Sequence, residues 1–233
     1  MGTLHILSGG AAQGLVRALA DDFESQHDLH LSGTFGAVGA MKQKLIDGAP
    51  CDVLILTRPM VQDLVQNGLA VEGTAQDLGV VKTGVAVLAG QAPVPVSTPD
   101  ALRQALRQAS AIYFPDPQLA TAGIHFMKVL QKLGLADELA DRLRPHPNGA
   151  TAMKAMGLSK DPQAIGCTQV TEILSTPGVQ LVGDLPKAHE LATVYTAVLA
   201  KRARQVEMAQ ALIAHMASPS LSDLRAELGF LPA

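Results

Sequence analysis

The stretch Leu4-His5-Ile6-Leu7-Ser8-Gly9-Gly10-Ala11-Ala12-Gln13-Gly14-Leu15 constrains this chain more than any other. Four mostly apolar residues read as a short buried strand and the small residues as a tight turn. Leu15, Leu19 and Phe23 then recur at helical spacing. A strand that turns into a helix on small residues aims unpaired backbone N–H groups, and the positive end of the helix dipole, at the space above the strand end. Such an element attracts anions. Gly9 and Gly10 allow close approach to the main chain, and Ser8 adds a hydroxyl. No Gly-Lys-Ser/Thr or GxGxxG pattern accompanies the turn, which sets aside the nucleotide-binding glycine loops.

The pattern recurs along the chain. Leu29–Phe35 reads as a strand, and Gly36–Ala40 opens a helix through Met41, Leu45 and Ile46. Cys51–Leu56 is an apolar strand interrupted only by Asp52, and Thr57-Arg58-Pro59 opens a third helix. Gly79–Ala89 is then a long extended run with Gly84 at a hinge position. Past it come a strand at Ala111–Phe114, helix starts at Thr121-Ala122-Gly123 and Pro147-Asn148-Gly149, and a strand from Gln163 to Cys167 ending in Thr168-Gln169. Val170-Thr171-Glu172 starts a further helix, Val179–Val182 is a short strand, and Ala192–Leu199 is a second extended run. Helices at Arg204–Ala217 and Leu221–Gly229 close the chain. The expected fold is therefore α/β, with two αβα lobes joined by two extended crossover strands. Residues 1–82 and 196–233 form lobe 1 and residues 83–195 form lobe 2, with helix starts facing a ligand cleft between them.

Composition limits the partners. A net charge of -3, 3% aromatic residues and no Trp provide neither the basic field nor the stacking platforms of a nucleic-acid binder. The longest apolar runs, Val85–Ala89 and Val194–Ala200, are too short to span a bilayer. Cys51 and Cys167 read as free core thiols. His27 and His30 lie three apart without an acidic or cysteine cluster, so no metal site is expected, and no cofactor motif is present. Met1-Gly2-Thr3 leads straight into the first strand. The expected location is periplasmic if a signal peptide has been removed ahead of it, and cytoplasmic otherwise.

Several segments together resemble a known family. They are the opening unit, Gly39 through Ile46-Asp47-Gly48-Ala49-Pro50-Cys51-Asp52-Val53, Asp116-Pro117 with Ala122-Gly123-Ile124, Leu130-Gln131-Lys132-Leu133-Gly134, Ile165-Gly166 and Gly229-Phe230. The family is the molybdate-binding component of ABC importers, a group of type II periplasmic binding proteins, and the similarity runs nearly the whole length. It implies a small anionic ligand, an importer permease as partner, a monomer, and backbone donors at Ala11, Val38, Ala122 and Gly149. In that family two serines and a tyrosine donate hydroxyls, and the matching positions here are Ala11, Val38 and Gln169. Ser8, Thr57, Thr121, Thr168 and Gln169 would line the site instead, with Arg58 as a fork for a carboxylate. That donor set suits a small organic carboxylate better than molybdate. A branch of the family resembles aconitate isomerase, which makes an isomerase of small unsaturated tricarboxylates the alternative. His125 and His146 would be its bases, and Glu172 reads as a first-turn acid favouring the helix dipole.

Overall fold

Apolar strands covered by amphipathic helices build both halves of the chain. The computed structural model describes residues 2–233. They form two compact units, one taking the chain up to Val81 and from Thr193 to Ala233, the other Lys82–Ala192.

In the first unit β1 (Gly2–Gly9) leads through a 3-10 turn (Gly10–Ala12) into α1 (Gln13–His27). β2 (Leu29–Gly36) leads into α2 (Val38–Ile46), and β3 (Val53–Thr57) into α3 (Arg58–Gln66). β1 lies between β2 and β3 and is parallel to both, with Gly9 beside Gly36 and Ser8 beside Ile55. Parallel pairing brings the C-terminal ends of all three strands to one edge, and each delivers a helix start there. Every residue of β3 is buried, and α1 turns Leu15, Val16, Leu19 and Phe23 inward.

The chain leaves this unit within β4 (Gln76–Leu88) and builds the second. There α4 (Pro99–Gln108) precedes β5 (Ile112–Pro115) and α5 (Thr121–Lys132), then β6 (Leu143–His146) and α6 (Gly149–Ser159). β7 (Ile165–Gln169), α7 (Val170–Leu174) and β8 (Val179–Asp184) follow. β5 runs parallel to β6 and β7, while β4 pairs antiparallel with β7 and β8. Gly84, read above as a hinge position, lies within this pairing, opposite Thr168 and Asp184. Pro145 and His146, which carry no strand signal in the sequence, belong to β6, which lies at the sheet edge beside β5. An edge strand tolerates proline because one row of its N–H groups has no ladder partner.

β9 (Ala192–Leu199) returns the chain to the first unit, antiparallel to β3, and α8 (Val206–Ala217) and α9 (Ser222–Glu227) complete it. Asp52, the lone charge in an apolar run, is 2% exposed and ties three segments together. Its carboxylate accepts the amides of His5 (2.8 Å), Arg204 (2.6 Å) and Gln205 (3.0 Å). No helix among the described residues is long and apolar enough to cross a membrane.

Both cysteines are free and buried, one in each unit. Burial pushes the Cys51 thiol up to about 12 and raises Cys167 as well. At pH 8 the reactive thiolate of Cys51 is then about one part in ten thousand. A thiol-specific dye at that pH should label neither residue in the folded protein and should find two equivalents once denaturant is added.

Candidate functional site

Whether a helix start can bind an anion depends on whether its N–H groups already have acceptors. At the shared edge of the first unit the residues preceding the 3-10 turn, α2 and α3 are Gly9, Ala37 and Thr57, and none caps its helix with a side chain. Ser8 is fully buried, and its Oγ donates to the Gly9 carbonyl at 2.8 Å, so this hydroxyl is turned onto its own main chain. Ala11 and Val38 are also buried, at 2% and 4% exposure. A methyl group built on Gly9 would come within 2.8 Å of Val38 Cγ1 and 3.0 Å of Tyr195 Cε1. Tyr195 lies opposite Thr57 in the β3–β9 pairing. The edge thus brings together Gly9, Val38, Thr57 and Tyr195. Tyr195 was read only as part of a crossing strand, because nothing local marks its antiparallel register with β3.

Arg58 opens α3 at the same edge, but its fork grips a protein carboxylate. Nε donates to Asp77 Oδ1 at 3.2 Å and Nη2 donates to Asp77 Oδ2, while Thr196 Oγ1 donates to Oδ1 at 2.6 Å. Burial pushes the Asp77 carboxyl up, yet the bonds from Arg58 and Thr196 outweigh it and hold the group below the usual carboxylate range. The Nε/Nη2 side of the fork is thus taken by Asp77.

In the second unit α5 starts after Ala120 without a side-chain cap, with Thr121 half-buried and Ala122 at 2% exposure. Asp116 shapes the preceding loop by accepting the amides of Gln118 (2.7 Å) and Leu119 (2.8 Å). The start of α6 differs. Asn148 and Thr151 form a capping box, and the buried Glu172 carboxylate accepts the amides of Gly149, Ala150 and Gln169. Thr168 Oγ1 donates to Glu172 Oε2 at 2.5 Å. Burial raises the Glu172 pKa, and the four donors pull it back without cancelling the rise. Gly149 and Thr168, expected as ligand donors, therefore serve an internal carboxylate. Glu172, read as a dipole-favouring acid of its own helix, caps a neighbouring one.

His125 Nε2 lies 2.7 Å from the His189 carbonyl oxygen, an acceptor that holds the proton on that nitrogen. His146 stacks on Tyr113 with ring centroids 5.8 Å apart, and burial lowers its pKa. His27 packs on Phe23 and His30 reaches Glu24 at 3.1 Å. Among the described residues no group of three or more His, Cys, Asp or Glu is placed to hold a metal ion.

Comparison with known proteins supports the fold. The chain is 24% identical over 237 residues to the aconitate isomerase of a Pseudomonas species, covering 99% of this chain and 88% of that protein. It superposes on the periplasmic molybdate-binding protein of Azotobacter vinelandii with a TM-score of 0.82, at 20% identity and 99% coverage of each chain. The sulfate-binding protein of Mycobacterium tuberculosis gives 0.77 at 14% identity, covering 100% of this chain and 88% of that one. The fold is that of the periplasmic binding proteins, with αβ units joined through extended strands. With residues 4–231 matched by the family profile, the chain belongs to the bacterial extracellular solute-binding proteins.

Proposed function

We propose that this protein captures a small organic carboxylate in the periplasm and passes it to an importer permease, acting as a monomer without a cofactor. The observation that carries the reading is the edge of the first unit, where helix starts following β1, β2 and β3 lie side by side without side-chain caps. Main-chain amides and helix dipoles there favour a compact negative group. In the second unit the start of α5 offers the same chemistry. Capture would engage both units, with a hinge motion about the extended strands.

The side chains favour a carbon skeleton over a tetrahedral oxyanion. Ser8 is turned inward, Thr168 serves Glu172, and aliphatic groups stand at Ala11 and Val38. Losing two or three neutral donors at about 1 kcal/mol each weakens an oxyanion complex by orders of magnitude. Val38 and the Tyr195 ring instead offer apolar contact beside the amides. Thr57 and Thr121 remain as polar side chains.

A second reading, an isomerase of small unsaturated tricarboxylates, is favoured by one observation besides the Pseudomonas relative. Glu172 is a buried acid of raised pKa in α7, just past the end of β7, the kind of group that carries protons. Thermal-shift titration with molybdate, tungstate, sulfate, phosphate, citrate and cis- and trans-aconitate, followed by proton NMR, separates the readings. A carboxylate should raise the melting temperature most, with stabilisation approaching about 4 kcal/mol at 1,000-fold excess over its Kd. A stronger response to molybdate or sulfate overturns the carboxylate assignment, and no response to any anion overturns the whole reading. Interconversion of the aconitates in the NMR tube would establish the isomerase.

A further inference from the structure

At the opposite end of β3 from Thr57, the first unit holds a cavity of about 510 Å3. Its apolar wall comes from Ile46 at the end of α2, Pro50 ahead of β3 and Leu69 after α3, and Ile46 is 49% exposed, unusual for so large an apolar side chain. Lys201, Arg202 and Arg204, from the turn between β9 and α8, line the same cavity and are all exposed. Among the described residues none of the three has an acidic partner within ion-pair distance. The one acid lining the cavity, Asp52, directs both carboxylate oxygens at main-chain amides.

We propose that this cavity binds an amphipathic anion, a carboxylate, sulfonate or phosphate ester carrying a hydrocarbon or aromatic body. The charged head meets Lys201, Arg202 and Arg204, and the body covers Ile46, Pro50 and Leu69. Three like charges on one short turn repel each other, and an anion relieves that repulsion. The volume lies within the range of small-molecule pockets, about 300–1,000 Å3. The cavity is separated from the helix starts by the length of β3, about 15 Å. It therefore stands or falls independently of the function proposed above.

The test is a titration of the 15N-labelled full chain with phenyl phosphate, followed by amide NMR, with inorganic phosphate and phenol as its two halves. Phenyl phosphate should shift the amides of residues 46–49, 51, 69 and 201–205 saturably, and each half alone should bind about tenfold more weakly or worse. The double variant K201E/R202E should weaken phenyl phosphate by about tenfold or more while leaving the melting temperature in place, because both side chains are exposed. Unchanged affinity in that variant overturns the proposal, as do shifts confined to residues 8–12. Inorganic phosphate binding as tightly as phenyl phosphate also overturns it, since the apolar wall would then contribute nothing.

Discussion

Glu172→Ala should destabilise the second unit by about 3–5 kcal/mol, a large part of what holds a domain folded. The wild-type carboxylate accepts from Thr168 Oγ1 and from the Gly149, Ala150 and Gln169 amides, and it lies in the interior at 5% exposure. Alanine leaves four donors facing a space that no protein acceptor fills. Urea denaturation measures the loss, and the two tyrosines localise it, since Tyr113 belongs to the second unit and Tyr195 to the first. A loss below about 1 kcal/mol would mean that water satisfies the donors. Glu172→Gln separates charge from shape. Because burial raises the folded-state pKa above the unfolded value of about 4.3, the titration of Glu172 contributes stability that is present below that pH. The contribution is lost as pH rises through the folded pKa. The wild-type margin over Glu172→Gln should therefore narrow from pH 4 upward.

Gly123→Ala should cost about 3 kcal/mol or more and displace the start of α5. A methyl group there would stand 2.2 Å from the Asp116 carbonyl oxygen and 2.3 Å from that of Pro115. Both are main-chain atoms at the end of β5, with no rotamer to yield. Gly134, just past the other end of α5, gives the contrast, with φ at +69° and nothing within 4 Å of an added methyl group. Gly134→Ala should cost only the left-handed strain of about 1–2 kcal/mol. Calorimetry on the two variants checks the ranking, and equal losses would show that the contact at Gly123 relaxes. The same close approach sets α5 against the end of β5, so on the function proposed above Gly123→Ala should also weaken ligand binding by displacing the Ala122 amide.

Much of the architecture is legible in the sequence because it rests on local signals. Apolar runs of strand length, small-residue turns and helical periodicity mark β1 to β3 with their helices, and the long runs around Val85 and Val194 mark the extended strands. β6 escaped that reading because Pro145 within it and Pro147 just past it carry a loop signal, and only its place at a sheet edge makes a proline there tolerable. The candidate site was less legible because its polar side chains are matched across long sequence distances. Arg58 reads as an unpaired cation until Asp77 is brought beside it from 19 residues away, itself bonded by Thr196 a further 119 residues on. Gly149 reads as an open helix start, and no short-range pattern announces that a glutamate on another helix occupies it. Helix starts are written in local sequence, whereas what already sits on them is a property of the assembled unit.

The first unit is assembled from two stretches separated by the whole of the second. Its β3 ladder is completed by β9, and the Asp52 carboxylate waits for the amides of Arg204 and Gln205. During synthesis from the N-terminus, the continuous stretch Lys82–Ala192 can therefore finish folding while the earlier-made segment still lacks its closing strand. The oldest part of the nascent chain is the last to mature.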